Sequence, residues 1–282
     1  MREVTLLSYG MGVESSAVLA RWCLEPDVRP CPLDELIVVT AQTGDEYADT
    51  GRDVEAYILP LMRAHSIRFV QVARAGHHEA DGIIVLDDTK RPTRVHLGGA
   101  YKLSDELRRN GTVPQYAGQH RCSLKFKAWV IETWLDANVR SGRTRDAFGY
   151  NNDETACVER CNAGIRERIA FGFNAGESER VARSMTYNTV QRTTFYPLVE
   201  WGWNRARCEQ YLRDVFGIEW KKTACVYCPF TPLRGAALER HRDHPDAVAD
   251  AMMLEHLSLA LNPRATLYRD RSLIQITRDE GN

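Results

Sequence analysis

The sequence predicts an α/β fold with a mainly parallel sheet of five strands, helices on both faces and a helical C-terminal region. Apolar runs of strand length alternate with segments of helical periodicity through the first half of the chain, which indicates βαβ units. The 282 residues suffice for one large α/β domain or for a core domain with an appendage. Hydrophobic residues make up 44% of the chain and charged residues 27%, which is typical of a globular protein.

The elements are expected in a regular order. Strands are predicted at residues 3–8, 35–40, 67–72, 169–173 and 194–198. Helices are predicted at residues 15–24, 49–65, 125–135, 205–216 and 236–261, the last with a break near Pro245. Residues 1–200 are assigned to the α/β domain, with a basic, partly helical insertion at about 74–167. Residues 201–282 form the helical C-terminal region, which carries a loop at 225–232.

Charge and hydropathy restrict the functional classes. The net charge is −1, which excludes a global basic field for nucleic acid. Residues 90–145 nevertheless hold twelve Lys and Arg against four Asp and Glu, which indicates either an anionic ligand at one face or a solvated helix surface. No apolar run approaches the roughly 18 residues of a membrane span, and the chain starts on a strand-like run. We therefore expect a cytoplasmic protein without membrane attachment.

A glycine-rich turn, Ser8–Ser16, follows the first strand and opens the first helix. Gly10 and Gly12 are expected to allow positive φ and a close approach to a ligand. The following N–H groups, with the hydroxyls of Ser15 and Ser16, would form an anion site at a helix N-terminus. The turn is neither a Walker A loop nor a dinucleotide G-x-G-x-x-G motif. It predicts a phosphate site, and the alternative is a tight turn that needs glycine for geometry alone.

Eight cysteines are present, and a disulfide framework is not expected in a cytosolic chain. Cys225 and Cys228 form a C-x-x-C-P motif in a polar loop, a spacing shared by redox pairs, zinc sites and iron–sulfur sites. Cys157 and Cys161 are spaced i, i+4 and would share one helix face.

Further stretches follow the glycine turn, and each has a counterpart in one enzyme family. They are TGDEYADT at 43–50, RCSLKFKAW at 121–129, GFNAGESERVAR at 172–183, and FYPLVEW followed by CVYCPF at 225–230. With GMGVESSA at the turn, they resemble, in family order, the PAPS reductase-like branch of the PP-loop ATP pyrophosphatases, in the adenine nucleotide α-hydrolase superfamily. Gly12 matches the second glycine of the family turn and Ser15 its serine, whereas Met11 replaces a glycine and Glu14 an aspartate. Asn174 stands where the family often has arginine.

The resemblance implies a Rossmann-like (HUP) domain that binds ATP and Mg²⁺ and carries a [4Fe–4S] cluster. The residues implied to contact the nucleotide are Ser8, Gly10, Gly12, Ser15, Ser16, Thr43, Gly44, Glu46, Gly172, Glu177, Ser178 and Arg183. Catalytic roles are implied for Glu14, Asp45, Lys125 and Arg180. The cluster ligands would be Cys122, Cys225 and Cys228, with Cys157, Cys161 or Cys208 as a fourth. From the residues alone, a capped helix start explains Glu177 and Ser178 equally well.

Three functions compete at this point. In the first, the enzyme transfers AMP from ATP to a substrate, releases pyrophosphate, and supports sulfur transfer to a nucleic acid or nucleotide, with a sulfur-donor protein as a further partner. In the second, it reduces a sulfonucleotide, although such reductases use a C-terminal cysteine and none of the 54 residues after Cys228 is one. The third is a degenerate nucleotide-binding module. The oligomeric state is open, with a homodimer as one option.

Overall fold

The computed structural model describes residues 2–114, 121–140, 165–186, 188–189, 192–231, 235–268 and 271–279. Within these residues the chain has an α/β fold built on one mixed sheet. The strands are β1 (Arg2–Ser8), β2 (Ile37–Gln42), β3 (Arg68–Arg74), β4 (Ile83–Thr89), β5 (Ile165–Phe171) and β6 (Arg192–Phe195). Their order across the sheet is β4-β3-β2-β1-β5-β6.

Strand β1 lies near the middle of the sheet, between β2 and β5, and pairs parallel with both. Strands β3 and β6 extend the sheet in parallel, whereas β4 pairs antiparallel with β3 at the edge. The expected five-stranded sheet therefore missed β4. Its apolar run is short, Ile84 and Val85 are exposed, and acidic residues follow, so the segment lacks the alternation that marks a half-buried strand.

The helices fill the connections and the C-terminal region. They are α1 (Val13–Leu24), α2 (Ala48–Asp53), α3 (Leu59–Ala64), α4 (Leu103–Asn110), α5 (Arg121–Ser123), α6 (Trp129–Leu135), α7 (Ser178–Met185), α8 (Pro197–Glu200), α9 (Arg205–Phe216), α10 (Ala236–Arg242), α11 (Pro245–Leu261) and α12 (Leu273–Asp279). Pro245 opens α11, as expected of a residue without an N–H. Among the described helices, none combines the length and the hydrophobicity needed to cross a bilayer.

Within the described ranges, three π-helical stretches interrupt or extend these helices. Val54–Ile58 joins α2 to α3, Leu124–Ala128 joins α5 to α6, and Asp136–Arg140 follows α6. In a π-helix each N–H group bonds the carbonyl five residues earlier. Residues five apart in sequence therefore lie on the same face of the helix.

Helices cover both faces of the sheet, because successive strand residues point to opposite sides. Leu7 packs in a core with residues of α1, α3 and α9, whereas Leu6 packs in a second core with residues of α6. A third apolar cluster joins α4 and Tyr47 to the C-terminal residues Val226 and Leu254. The C-terminal region therefore packs against the loop that follows β2, at the carboxyl edge of the sheet.

Candidate functional site

The turn between β1 and α1 has one residue with positive φ, and it is not a glycine. Met11 has a φ of 59°, whereas Gly12 has a φ of −80° and Gly10 is also outside the positive region, so the expectation for the two glycines was wrong. The Met11 side chain is buried, and the amide nitrogen of Gln42 lies 3.8 Å from its sulfur. This packing holds Met11 in a conformation that costs an L-residue about 1–2 kcal/mol.

The hydroxyls of Ser15 and Ser16 form hydrogen bonds with other groups of the protein. Ser16 Oγ lies 3.0 Å from the Tyr9 hydroxyl, and both groups are buried. Ser15 Oγ donates to the Gly12 carbonyl over 3.4 Å. Gly12 is the N-cap of α1 and provides no side-chain cap. The groups that the turn can offer an anion are therefore the N–H groups of the first helical turn, which have no intrahelical acceptors.

The first turn of α1 is closely surrounded. Glu14 accepts a hydrogen bond of 2.9 Å from Arg205 of α9. A β-carbon on Gly172, just after β5, would lie 3.0 Å from the Ser15 nitrogen, so only glycine allows this close approach. The structure thus places Gly172 and Glu14 together at the start of α1.

A segment of the C-terminal region lies over the same turn. Trp220 Nε1 donates to the Met11 carbonyl over 3.1 Å. A β-carbon on Gly12 would lie 2.9 Å from Thr223 Oγ1, so the threonine side chain stands directly against Gly12. Two residues later Cys225 forms a β-bridge with Glu46. Residues 220–225 therefore connect the glycine turn to the loop after β2.

A thiol, a carboxylate and an ammonium group meet at this second loop. The hydroxyl of Thr43 lies 3.0 Å from Cys225 Sγ, which in turn lies 3.8 Å from Glu46 Oε1. Lys127 Nζ donates to Glu46 Oε1 over 2.9 Å. The Glu46 side chain is only 1% exposed, and its Oε2 has no hydrogen-bond partner among the described residues. Burial, reinforced by the Glu46 charge, raises the pKa of Cys225 well above its ordinary value.

Two further cysteines face the same region. Burial raises the pKa of Cys122, and the charge of Cys228 raises it further. Cys228 has the same effect on the pKa of Cys225, so it lies within electrostatic range of both. In the part of the chain that the structure describes, however, no group of three or more His, Cys, Asp or Glu side chains is arranged to hold a metal ion. Three thiols are the right donors for an iron–sulfur cluster, but their arrangement does not form a finished site.

The candidates for a fourth cluster ligand fare differently. Cys208 is fully buried in the core between the sheet and α9, with Glu14 and Arg205 as charged neighbours. Its place in that core, apart from the cluster that Cys122 and Cys225 pack against, removes it as a ligand. Cys157 and Cys161 lie outside the described residues.

Several predicted site residues have structural partners instead. Asp45 Oδ2 accepts from the Ser104 nitrogen over 2.7 Å and so caps α4, although burial raises the Asp45 pKa. Lys125 Nζ donates to Glu106 over 2.8 Å rather than reaching the thiols. Gly44 has a φ of 88°, and a β-carbon there would lie 2.5 Å from the Lys102 side chain. Asp45, Lys125 and Gly44 therefore join the loop after β2 to α4 and to the helix that follows Cys122.

The polar side chains in the loop after β5 likewise bind neighbouring residues of the same loop and of α7. Glu177 accepts 3.0 Å hydrogen bonds from the backbone and side-chain nitrogens of Asn174 and also binds Arg180. The Arg180 guanidinium lies 4.3 Å from the centre of the Phe173 ring. Ser178 and Arg183 belong to α7. The Glu177 carboxylate therefore holds the turn at Asn174 that leads into α7.

Part of the basic surplus at residues 90–145 is neutralised from outside the segment, because Glu46, Asp250 and Glu167 lower the excess from eight charges to five. In the described part of that segment, four basic side chains form ion pairs with acidic groups. They are Lys125 with Glu106, Lys127 with Glu46, Arg108 with Asp250, and Arg140 with Glu132, Asp136 and Glu167. These pairs weaken the case for a polyanion-binding face in this segment.

A buried carboxylate attaches the C-terminal region to α2. Asp49 is 5% exposed and accepts hydrogen bonds from Arg240, at 3.1 Å from Nε, and from Lys221 Nζ, also at 3.1 Å. Although burial alone would raise the pKa of Asp49, the two cations outweigh it and lower the pKa to about 2. The Arg240 guanidinium also lies 4.2 Å from the centre of the Tyr47 ring. Asp49 therefore fixes the position of the segment that covers the glycine turn.

Sequence reasoning missed Lys127, Thr223 and Asp49. The sequence favoured Lys125 over Lys127, because Lys125 follows Cys122 by three residues. Residues three apart lie on the same face of an ordinary α-helix. The π-helical stretch Leu124–Ala128 instead favours the residue five positions on, which is Lys127. No local signal distinguishes Thr223 or Asp49, because their partners lie far away in sequence.

Comparisons with known proteins add no further constraint. No protein-family model matches the chain, and no curated protein and no solved structure matches it.

Proposed function

We propose that this chain is a Rossmann-like, PP-loop enzyme that binds ATP with Mg²⁺ at the turn Ser8–Ser16, transfers AMP to an acceptor oxygen and releases pyrophosphate. One observation carries the proposal. Helix α1 begins at the carboxyl end of β1 and has no side-chain cap at its N-terminus. Thr223, from a segment distant in sequence, lies directly against Gly12 at this N-terminus. Helix N-termini at this edge of a parallel sheet are favoured sites for phosphate.

The neighbouring loop supports a nucleotide with a bound cation. Glu46 Oε2 is buried and lacks a hydrogen-bond partner among the described residues, which is costly unless a ligand supplies a donor or a positive charge. A ribose hydroxyl or a water bound to Mg²⁺ would satisfy it. Glu14 and Glu46 each bind one cation, Arg205 and Lys127 respectively, but the Glu14 side chain is 18% exposed and can bind water instead of a ligand. Glu46 is therefore the better candidate for the acidic group of the nucleotide site.

The proposed reaction breaks the bond between the α-phosphorus and the oxygen that bridges it to the β-phosphate. An acceptor oxygen attacks the α-phosphorus, a new P–O bond forms, and pyrophosphate leaves with the bonding electron pair. The N–H groups of α1 would stabilise the charge that develops on the phosphate oxygens. Lys127, held by Glu46, would neutralise negative charge on the acceptor side. A nucleophile then displaces AMP.

Sulfur transfer is the favoured fate of the adenylylated product, because Cys225 lies beside Glu46 and Lys127. Cys122, Cys225 and Cys228 supply thiols, but the arrangement of these residues is not a finished cluster site. No step of the proposed reaction therefore runs through an iron–sulfur cluster. Sulfonucleotide reduction is the weaker alternative, given the absence of cysteine after Cys228.

Nucleotide binding by a Gly12→Val variant tests this proposal. The valine side chain would displace Thr223, whose Oγ1 lies 2.9 Å from the β-carbon position, while the φ of −80° at Gly12 suits any residue. We expect the variant to keep its circular dichroism spectrum and to lose ATP binding in isothermal titration calorimetry. Unchanged ATP affinity in a folded Gly12→Val variant would remove the glycine turn as the binding site.

A further inference from the structure

We infer that Lys222 and Thr223 bind the β- and γ-phosphates of the nucleotide, so that the C-terminal region contributes half of the phosphate site. This inference rests on the proposed function, since it assigns the residues that would hold the pyrophosphate leaving group. The chain positions these two residues more than 200 residues after the glycine turn.

Residues 220–223 are fixed against the glycine turn at both ends. Trp220 Nε1 is bonded to the Met11 carbonyl over 3.1 Å, and the buried indole packs in the same core as Met11. Three residues later, Thr223 Oγ1 lies 2.9 Å from the point that a Gly12 β-carbon would occupy. Both ends of this short stretch are therefore fixed against the turn, and Lys221 and Lys222 lie between them.

Lys221 and Lys222 differ in the groups that their ammonium nitrogens bind. Lys221 Nζ is committed to the Asp49 carboxylate at 3.1 Å, where Arg240 also binds. Lys222 is exposed and donates to the Phe230 carbonyl over 3.2 Å. A single neutral carbonyl uses one of the three ammonium hydrogens and leaves the positive charge uncompensated. Lys222 can therefore bind a phosphate without breaking an ion pair, whereas Lys221 cannot.

The buried side chain of Gln42, beside the turn, is an independent sign that the turn receives a ligand. Gln42 ends β2, is fully buried, and places its Nε2 3.8 Å from the Met11 sulfur. Its Oε1 has no hydrogen-bond partner among the residues that the structure describes. A buried amide oxygen without a donor destabilises the protein, because it has lost its hydrogen bonds to water. A water bound to the Mg²⁺ of a triphosphate, or a ribose hydroxyl, would supply that donor beside the turn.

These contacts predict a selective loss of affinity in Lys222→Gln and Thr223→Val variants. AMP lacks the β- and γ-phosphates, whereas ATP and pyrophosphate carry them. Titration calorimetry with ATP, pyrophosphate and AMP should show an increase of about tenfold in the Kd for ATP and pyrophosphate, which corresponds to one charge-assisted hydrogen bond, and no change for AMP. Lys222→Arg should retain most of the ATP affinity.

Lys90→Gln is the matched control, because Lys90 is also exposed and also donates to a backbone carbonyl, that of Asp34, over 2.6 Å. Unchanged ATP affinity in both Lys222→Gln and Thr223→Val would overturn the inference, as would equal weakening of ATP and AMP, which indicates a general distortion. If the wild-type protein binds none of the three ligands, the proposed function itself fails. Affinity of the wild type for ATP without any effect of these variants leaves the proposed function standing and refutes only the inference.

Discussion

Substitution of Asp49 by asparagine should release the C-terminal region from α2. The change keeps the shape of the side chain and removes the charge that Arg240 and Lys221 share. The pKa of Asp49 falls from 3.8 to about 2 in the folded protein. At 1.36 kcal/mol per pKa unit, that shift corresponds to about 2 kcal/mol of stability. Arg240, which is 8% exposed, is then left without its counter-charge, and we expect a total loss of about 2–4 kcal/mol.

The pH dependence gives this prediction a sign. A carboxylate whose pKa is lowered by folding contributes its full stability above the ordinary pKa of 3.8 and loses it as the pH falls towards 2. Urea unfolding followed by tryptophan fluorescence should therefore show a drop in the free energy of unfolding between pH 4 and pH 2 that is smaller in Asp49→Asn than in the wild type. Asp27→Asn, at an exposed position, serves as the control. A variant within about 0.5 kcal/mol of the wild type at pH 7 would refute this role of Asp49.

Two further substitutions test other contacts. Gly12→Ala should push the Thr223 hydroxyl aside and raise the Kd for ATP about tenfold in titration calorimetry, with a stability change below about 1 kcal/mol, because Thr223 can rotate. A Kd for ATP equal to that of the wild type would contradict the role of Thr223. Glu255→Gln should destabilise the protein by about 1–3 kcal/mol in urea unfolding, because the buried carboxylate accepts from the nitrogens of Leu267 and Leu273, both at 2.6 Å, and an amide can serve only one of them. Unchanged stability would show that these bonds contribute little.

Local patterns predicted the central strands and helices well, because their apolar periodicity follows from burial. The predicted helix at 205–216 coincides with α9, and the break at Pro245 separates α10 from α11. Strand β4 was missed because an edge strand need not alternate polar and apolar residues. Predicted strand ends differ from the observed ones by up to four residues, the largest difference being at β5, which begins at Ile165.

The candidate site was predictable only where its residues lie within one motif. Thr43 and Glu46 were expected to contact the nucleotide and Cys225 to bind a cluster, and the structure brings the three side chains together. Lys127, rather than Lys125, contacts Glu46 because the helix contains a π-helical turn at Leu124–Ala128. The periodicity of apolar residues does not predict such a turn. The contact of Thr223 with Gly12 depends on tertiary packing across more than 200 residues. Such long-range pairs leave no trace in a single sequence.

The products of ATP turnover test the central claim most directly. Purified protein, prepared without oxygen, should be incubated with Mg²⁺, ATP labelled in the α- or γ-phosphate, and candidate nucleic acid acceptors. Attack at the α-phosphorus predicts that the γ label leaves as pyrophosphate and the α label appears in AMP or an adenylylated acceptor, and that Gly12→Val abolishes both. Release of the γ label as inorganic phosphate, with ADP as the other product, would contradict the proposed reaction.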